Sequence, residues 1–459
     1  MPDAADVQTI SPSEEGNYLL GVSRRVHFTR AAVVGLAAGG VTTAFTVSYE
    51  ILDRGRNDLL NFLHHYPWWG WIVLPVITAG CGALAGYMTE HYAPAASGGG
   101  IPHIRLVLQR KRLLRWQRLL PVKFIGSLLG LGAGFSIGPE GPSVQMGGCA
   151  GAAVSDTLNL SSHSRRNLIA SAAGAGLGAA FNAPLAGFIF VIEELQREIS
   201  SLTLVSALIA SVMAVAVSRI FTGQLPSFHI RDYPLPPLAA LPLFAIMGVV
   251  AGYAGVLFNR TLIWGVKRSR SLKFPMWQKA AAIGGITGLA GWWLPDALGD
   301  GHQIAESILR GDLSGNNFVL FLFILLIGKF VLTMAGYSTG IPAGIFAPFL
   351  VMGAIIGELF GHVSALLFPA VGTTSAAYAV VCMAAMFTSI VRAPLTGIVL
   401  ILEMTGNQEQ LFALILTCLV AYLVAEHTRT EPVYDELLEL ELARNQGTAE
   451  NEVAEKSET

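Results

Sequence analysis

Glu140 is an acid with no evident partner. It lies between Pro139 and Gly141 in the run GPEGPSVQ, and no basic residue occurs from 130 to 151. A carboxylate at the start of a helix can occupy the place an anion would take, and protonation would withdraw it. Glu140 is therefore a candidate gate and proton carrier in one. Glu193 and Glu194 close the apolar run FIFVIEE. Glu193 has a counterpart in Glu403, which points to a structural element, whereas Glu194 corresponds to Met404 and is the better candidate for proton transfer. Tyr434 follows Pro432 at the head of a helix-like stretch. Its phenol is a neutral donor suited to a partly dehydrated anion.

These side chains need elements that can hold an anion. Four segments combine a glycine-rich or proline-led approach with a helix start: SGGGIPHI from Ser97, GPEGPSVQ from Gly138, AGIFAPFL from Ala343 and PVYDELLE from Pro432. Glycine lets backbone come close to a ligand, and proline is tolerated in the first helical turn. A helix that starts inside a bilayer presents free N–H groups and about half a positive charge. Such an end binds anions. Fixed Lys or Arg side chains would hold an ion too tightly to release it, whereas converging partial charges stabilise it without trapping it. The stretches 130–151 and 336–357 contain no basic residue.

The second of these segments matches the third. A shift of 206 takes Lys123, Gly130, Gly134, Gly138, Pro142, Met146 and Gly151 to Lys329, Gly336, Gly340, Gly344, Pro348, Met352 and Gly357. A shift of 210 takes Ala183, Pro184, Leu185, Gly187 and Glu193 to Ala393, Pro394, Leu395, Gly397 and Glu403. The chain is a duplication, and Glu140 corresponds to Phe346. Paired apolar segments interrupted by Gly and Pro in both halves point to a substrate site within a membrane transporter.

Composition agrees. The 459 residues are 53% hydrophobic and 13% charged, with mean hydropathy +0.56; soluble domains carry about 25% charged residues. Long apolar runs recur along the chain, several too long or too interrupted for one straight crossing of about 20 residues. The expectation is an all-α polytopic membrane protein with tilted and broken helices. A net charge of −2 argues against nucleic acid as a partner. Cys81, Cys149, Cys382 and Cys418 lie within apolar or Gly-rich runs at no metal spacing, so they read as packing residues, with neither metal nor cofactor expected. The start, MPDAADVQTISPSEEG, lacks the basic lead of a cleaved signal peptide.

Lys and Arg set orientation. Arg24, Arg25 and Arg30 precede the first apolar run; Arg105, Arg110, Lys111, Arg112, Arg115 and Arg118 fill one linker; Arg165 and Arg166 mark another, and Lys267, Arg268, Arg270 and Lys273 a fourth. All are expected on the cytoplasmic side, with both termini cytoplasmic. The expected organisation is a cytoplasmic segment 1–30, membrane halves 31–222 and 236–428, and a C-terminal helix and short tail 429–459. From about Glu436 that tail reads as acidic and without apolar periodicity, leaving no room for a regulatory domain.

Gly336-Tyr337-Ser338-Thr339-Gly340 matches the nucleophile elbow G-x-S-x-G. Both glycines are explained by the repeat and Ser338 aligns with Gly132, so the match is set aside. An intramembrane enzyme using Glu140 as general base would need a nucleophile or metal partner, and no cluster at ligand spacing occurs in the apolar segments. A structural scaffold would explain neither unpaired acid. The chain is not expected to be an enzyme.

Over roughly residues 25–440 the chain resembles the CLC family of chloride channels and proton-coupled chloride transporters. GPEGP is similar to the family's G-[KR]-E-G-P, GIFAP to G-x-F-x-P and GGGIP to G-S-G-I-P. The resemblance implies two inverted-topology halves (the CLC fold) in a homodimer with one pathway per subunit, in the bilayer of a bacterial inner membrane. It implies that Glu140 is the gating glutamate and Glu194 the internal proton-transfer glutamate. Anion binding is expected from Gly99, Gly100, Gly141, the amides of Ile345 and Phe346, the Tyr434 hydroxyl, and Glu140 in competition with the ion. Two anions exchanged for one proton is the implied activity. An uncoupled anion channel is the alternative.

Two departures qualify the resemblance. Gly99 stands where the family usually has an anion-binding serine, and members with another residue there can prefer anions such as nitrate. Pro139 replaces the usual basic residue before the gate, which removes a charge and a backbone N–H and implies a weaker outer site.

Overall fold

A computed structural model of the chain describes residues 24–197, 200–228, 230, 235–313, 317–371 and 373–443. The first 23 residues of the expected N-terminal segment, and the tail beyond 443, lie outside them. The described residues are helical almost throughout. Helix α1 spans Arg24–His64, α2 Pro67–Tyr92, α3 Ile101–Leu108, α4 Trp116–Ala133, α5 Glu140–Thr157, α6 Ser162–Phe181, α7 Pro184–Phe190 and α8 Ser201–Thr222. Then follow α9 Leu241–Ser271, α10 Met276–Trp293, α11 His302–Arg310, α12 Phe318–Ser338, α13 Phe346–Leu367, α14 Ser375–Val391, α15 Pro394–Thr405 and α16 Leu411–His427. A last helix, α17, covers 433–443.

Among the described residues, six helices are long and apolar enough to cross a bilayer. Helix α1 has 41 residues, about 60 Å at 1.5 Å per residue. That is twice a hydrocarbon core of about 30 Å, so it tilts or projects from the membrane. It begins at Arg24, and the expected boundary at residue 30 therefore falls inside a helix.

The long apolar runs break where the repeat predicts. In the first half, Asn182 takes a left-handed conformation after α6 and Pro184 opens α7; in the second, Arg392 does so after α14 and Pro394 opens α15. A left-handed residue ends a helix and proline starts the next one cleanly. The chain continues beyond α7 as a π-helical stretch, Val191–Gln196, that carries both glutamates.

The two halves clasp each other through these breaks. Glu193 accepts the amides of Leu395 and Thr396 at 3.0 and 2.7 Å, at the start of α15. Glu403, on α15, accepts those of Leu185 and Ala186 at 3.0 and 2.8 Å, at the start of α7. Each acid satisfies orphan helix-start donors of the other half.

A third duplicated element escapes a reading of the sequence. A shift of 201 takes Pro94, Ala96, Gly98 and Gly100 to Pro295, Ala297, Gly299 and Gly301. Both segments form a single 3₁₀ turn leading into a short helix, α3 or α11. The φ angles agree: 63° and 85° at Gly98 and Gly100, 62° and 83° at Gly299 and Gly301. A buried lysine holds each turn. Lys123 Nζ donates to the carbonyls of Ala96 and Gly98 at 3.0 and 2.5 Å. Lys329 Nζ donates to those of Ala297 and Gly299 at 3.4 and 3.1 Å. Buried charge at membrane depth is tolerated when it is paired or bonded to carbonyl groups.

Candidate functional site

Three loops meet at the starts of α3, α5 and α13. Gly98 pairs with the strand-like 341–343 stretch: its N–H donates to Ile341 O at 3.2 Å, and Ala343 N–H donates to Gly98 O at 3.0 Å. Gly138 and Gly344 exchange N–H···O bonds of 2.8 Å in each direction, as an isolated antiparallel bridge. Because 138 and 344 are equivalent in the repeat, this antiparallel pairing marks a local two-fold relation between the halves.

The loops approach as closely as backbone can. A Cβ placed on Gly141 would lie 2.8 Å from both Cα and O of Gly99, and 3.1 Å from Cα of Gly344. Only glycine fits there. Gly99, in the loop before α3, and Gly141, in the first turn of α5, both expected at the site, are in backbone contact. Gly100, left-handed, caps α3, and its carbonyl accepts from Ile104 N at 3.0 Å.

Glu140 is the first residue of α5 and is 1% exposed. Both carboxyl oxygens are buried without a hydrogen-bond partner. They sit near the amides of Ala347 and of Glu140 itself without reaching hydrogen-bond geometry. A Cβ on Gly344 would stand 3.1 Å from Oε2. The carboxyl thus occupies the space where the α5 and α13 starts converge, facing donors that have no intrahelical acceptor. Ile345 precedes α13 and Phe346 opens it. The Phe346 ring packs on Tyr434 at 5.9 Å, Phe190 at 6.1 Å and Phe387 at 5.0 Å. Tyr434 is 2% exposed, within electrostatic range of Glu140 and Glu194.

Two cavities flank this junction and share no lining residue. One, about 440 Å³, is walled by Pro139, Glu140, Asn182, Asp300 and His302. The other, about 600 Å³, is walled by Gly98, Gly99, Gly100, Tyr337, Thr339 and Glu441. Glu140 stands in one wall and Gly99 in the other, separated by little more than Gly141.

Glu194 is elsewhere, buried in a network of charges that the sequence reading missed. Arg105 binds it at 2.8 Å and Arg197 at 3.4 Å; Asp435 accepts from the same two guanidinium groups at 2.6 and 2.9 Å. Arg105 is therefore not a linker residue. It belongs to α3, is 5% exposed, and faces inward because two carboxylates offset its charge. The C-terminal region also differs from expectation: α17 buries Val433, Tyr434, Leu437 and Leu438 at helical spacing, so apolar periodicity extends past Glu436. No local signal could have paired Arg105 with Glu194.

Comparison with known proteins follows the same lines. The family model described as voltage gated chloride channel matches residues 81–426. A protein of Salmonella agona (strain SL483) named H(+)/Cl(-) exchange transporter ClcA is 36% identical over 421 residues, covering 90% of this chain and 88% of that protein. The Salmonella arizonae protein of the same name is 36% identical over 422 residues, with the same coverage. Among solved structures, that of a slow cyanobacterial Cl⁻/H⁺ antiporter superposes with TM-score 0.87 and 34% identity, over 93% of this chain and 99% of that one. A CLC-type fluoride/proton antiporter, at 23% identity and TM-score 0.74 over 90% of this chain and 97% of the other, shares the fold. Given a family model that matches three-quarters of its length and relatives alike almost end to end, the chain belongs to the voltage gated chloride channel family.

Proposed function

We propose that this protein is a proton-coupled antiporter that exchanges chloride for protons across a membrane. One observation carries the reading: a buried carboxyl without a hydrogen-bond partner, Glu140, fills the meeting point of helix starts between two separate cavities. An ion there would be stabilised by peptide dipoles from Ile345, Phe346 and Gly141 and by the Tyr434 hydroxyl, and would compete with the carboxylate for the same space. Protonation frees the carboxyl from that competition, which ties anion entry to proton uptake. Glu194 would pass protons to the other side, exchanging them against its Arg105 partner. The relatives' names, an H(+)/Cl(-) exchange transporter and a Cl⁻/H⁺ antiporter, support this chemistry.

Purified protein in liposomes tests it. An outward chloride gradient should drive protons inward against their own gradient; chloride flux without proton movement would leave the channel alternative in its place. Gly99 favours running nitrate and fluoride beside chloride, because a serine hydroxyl is missing from the expected site.

The same reading includes two halves, the first opening with α1 and ending at 222 and the second spanning 236–428, in an inverted arrangement within a bacterial inner membrane, with the basic loops and both termini cytoplasmic. It also includes a homodimer. Leu185 on α7 and Leu395 on α15 are 48% and 60% exposed at the start of helices too short to span a bilayer, and a second copy would cover them. Photobleaching of labelled protein in bilayers should count two subunits.

A further inference from the structure

Tyr337 has no part in the site expected from the repeat motifs, yet its phenol reaches that site. It lies in the last turn of α12, in the GYSTG stretch, and is 5% exposed. Its oxygen accepts the Gly99 N–H at 3.4 Å. The hydrogen bond from Gly99 uses that oxygen as an acceptor and leaves the hydroxyl proton to be donated elsewhere.

The surroundings of Gly99 say where. A Cβ built there has Ala343 O as its nearest neighbour at 3.4 Å, then the Tyr337 oxygen at 3.8 Å and Gly141 Cα at 4.0 Å. Those are ordinary contacts, so the position has room for a Cβ that the sequence does not supply. The phenol oxygen bounds that room. Gly99 and Tyr337 also line the same 600 Å³ cavity. Tyr337 lies within electrostatic range of the Tyr434 phenol, whose ring packs on Phe346.

We propose that Tyr337 donates its hydroxyl to the transported anion, in place of the side-chain hydroxyl missing at Gly99. Two phenols, from α12 and α17, then face one small monovalent anion, with backbone amides completing the shell. A hydrogen bond to a charged partner is stronger than a neutral one. The donor arrives from 238 residues away in the chain, through the pairing of Gly98 with residues 341–343.

The inference rests on the anion-exchange reading, and the experiment keeps the two apart. Chloride binding to the purified full-length protein is measured by calorimetry, beside flux in liposomes, for wild type, Tyr337→Phe, Gly99→Ser and the double variant. Tyr337→Phe keeps the ring and its packing and removes one oxygen; chloride should bind about tenfold more weakly. Adding Gly99→Ser to it should restore most of that loss. Binding by Tyr337→Phe within twofold of wild type would overturn the assignment while leaving exchange intact. A loss that Gly99→Ser does not recover would overturn it too, since a packing defect behaves that way. Wild-type protein that neither binds nor moves chloride would sink the exchange reading and this inference together.

Discussion

Gly138 and Gly344 hold each other by two hydrogen bonds of equal length, 2.8 Å from each amide to the other's carbonyl. They are equivalent residues of a duplication, joined to each other. The pair fixes the starts of α5 and α13 face to face, so that the Glu140 carboxyl above them meets the dipoles of both helices. A site made from backbone is rigid only if the backbone is itself bonded, and this pair supplies that rigidity.

Gly141→Ala should test how close the loops must be. The added Cβ would stand 2.8 Å from Gly99 backbone and 3.1 Å from Gly344 Cα, which forces a loop shift. Chloride binding should fall at least about tenfold, the loss of one charge-assisted hydrogen bond or more, while the protein stays monodisperse on gel filtration. Calorimetric titration reads the first and chromatography the second.

Glu140→Ala should abolish proton movement in liposomes while chloride flux persists, because the competing carboxyl is gone and the donors remain. Simultaneous recording of external pH and chloride separates the two fluxes. Loss of both would argue that the carboxyl is needed to hold the loops together.

Arg105→Ala leaves the buried Glu194 and the partly exposed Asp435 with only Arg197 between them. Breaking a buried ion pair by removing one partner costs about 3–5 kcal/mol, so thermal unfolding in detergent should begin several degrees lower. Replacing Glu194 as well should recover part of the loss. Glu194→Ala alone should uncouple protons from chloride, since alanine cannot relay them.

Lys123→Met and Lys329→Met should destabilise to a similar degree, because each removes donors from two carbonyls in matching turns. Unpaired buried acceptors cost about 1–3 kcal/mol each. Unfolding midpoints for the two variants check this. Only Lys123→Met should also weaken chloride binding, because its turn carries Gly99.

The parts of this molecule built from backbone could be read from residue types. Gly141 and Gly344 must be glycine because loops touch there, and Pro184 and Pro394 must sit at helix starts, so the repeat and its helix breaks stood out in the sequence. Polar contacts between distant segments did not. Arg105 looked like one more basic residue near a linker, since its partners lie in α17 and the π-helical stretch after α7. Tyr337 looked like part of a spurious hydrolase motif, because its nearness to Gly99 arises only when the 98 and 341–343 segments pair. Four glycine, proline and alanine matches at a shift of 201 could have revealed the third repeated element, but their spacing is sparse.

The crossed grip of Glu193 and Glu403 makes the two halves mechanically alike, yet Glu140 finds only Phe346 at the mirrored place. A perfectly doubled machine would have an acid latch at both entrances and no reason to favour one face of the membrane. With an acid at 140 and an aromatic ring at the equivalent 346, matching helix starts carry different chemistry, and the doublet has a front and a back.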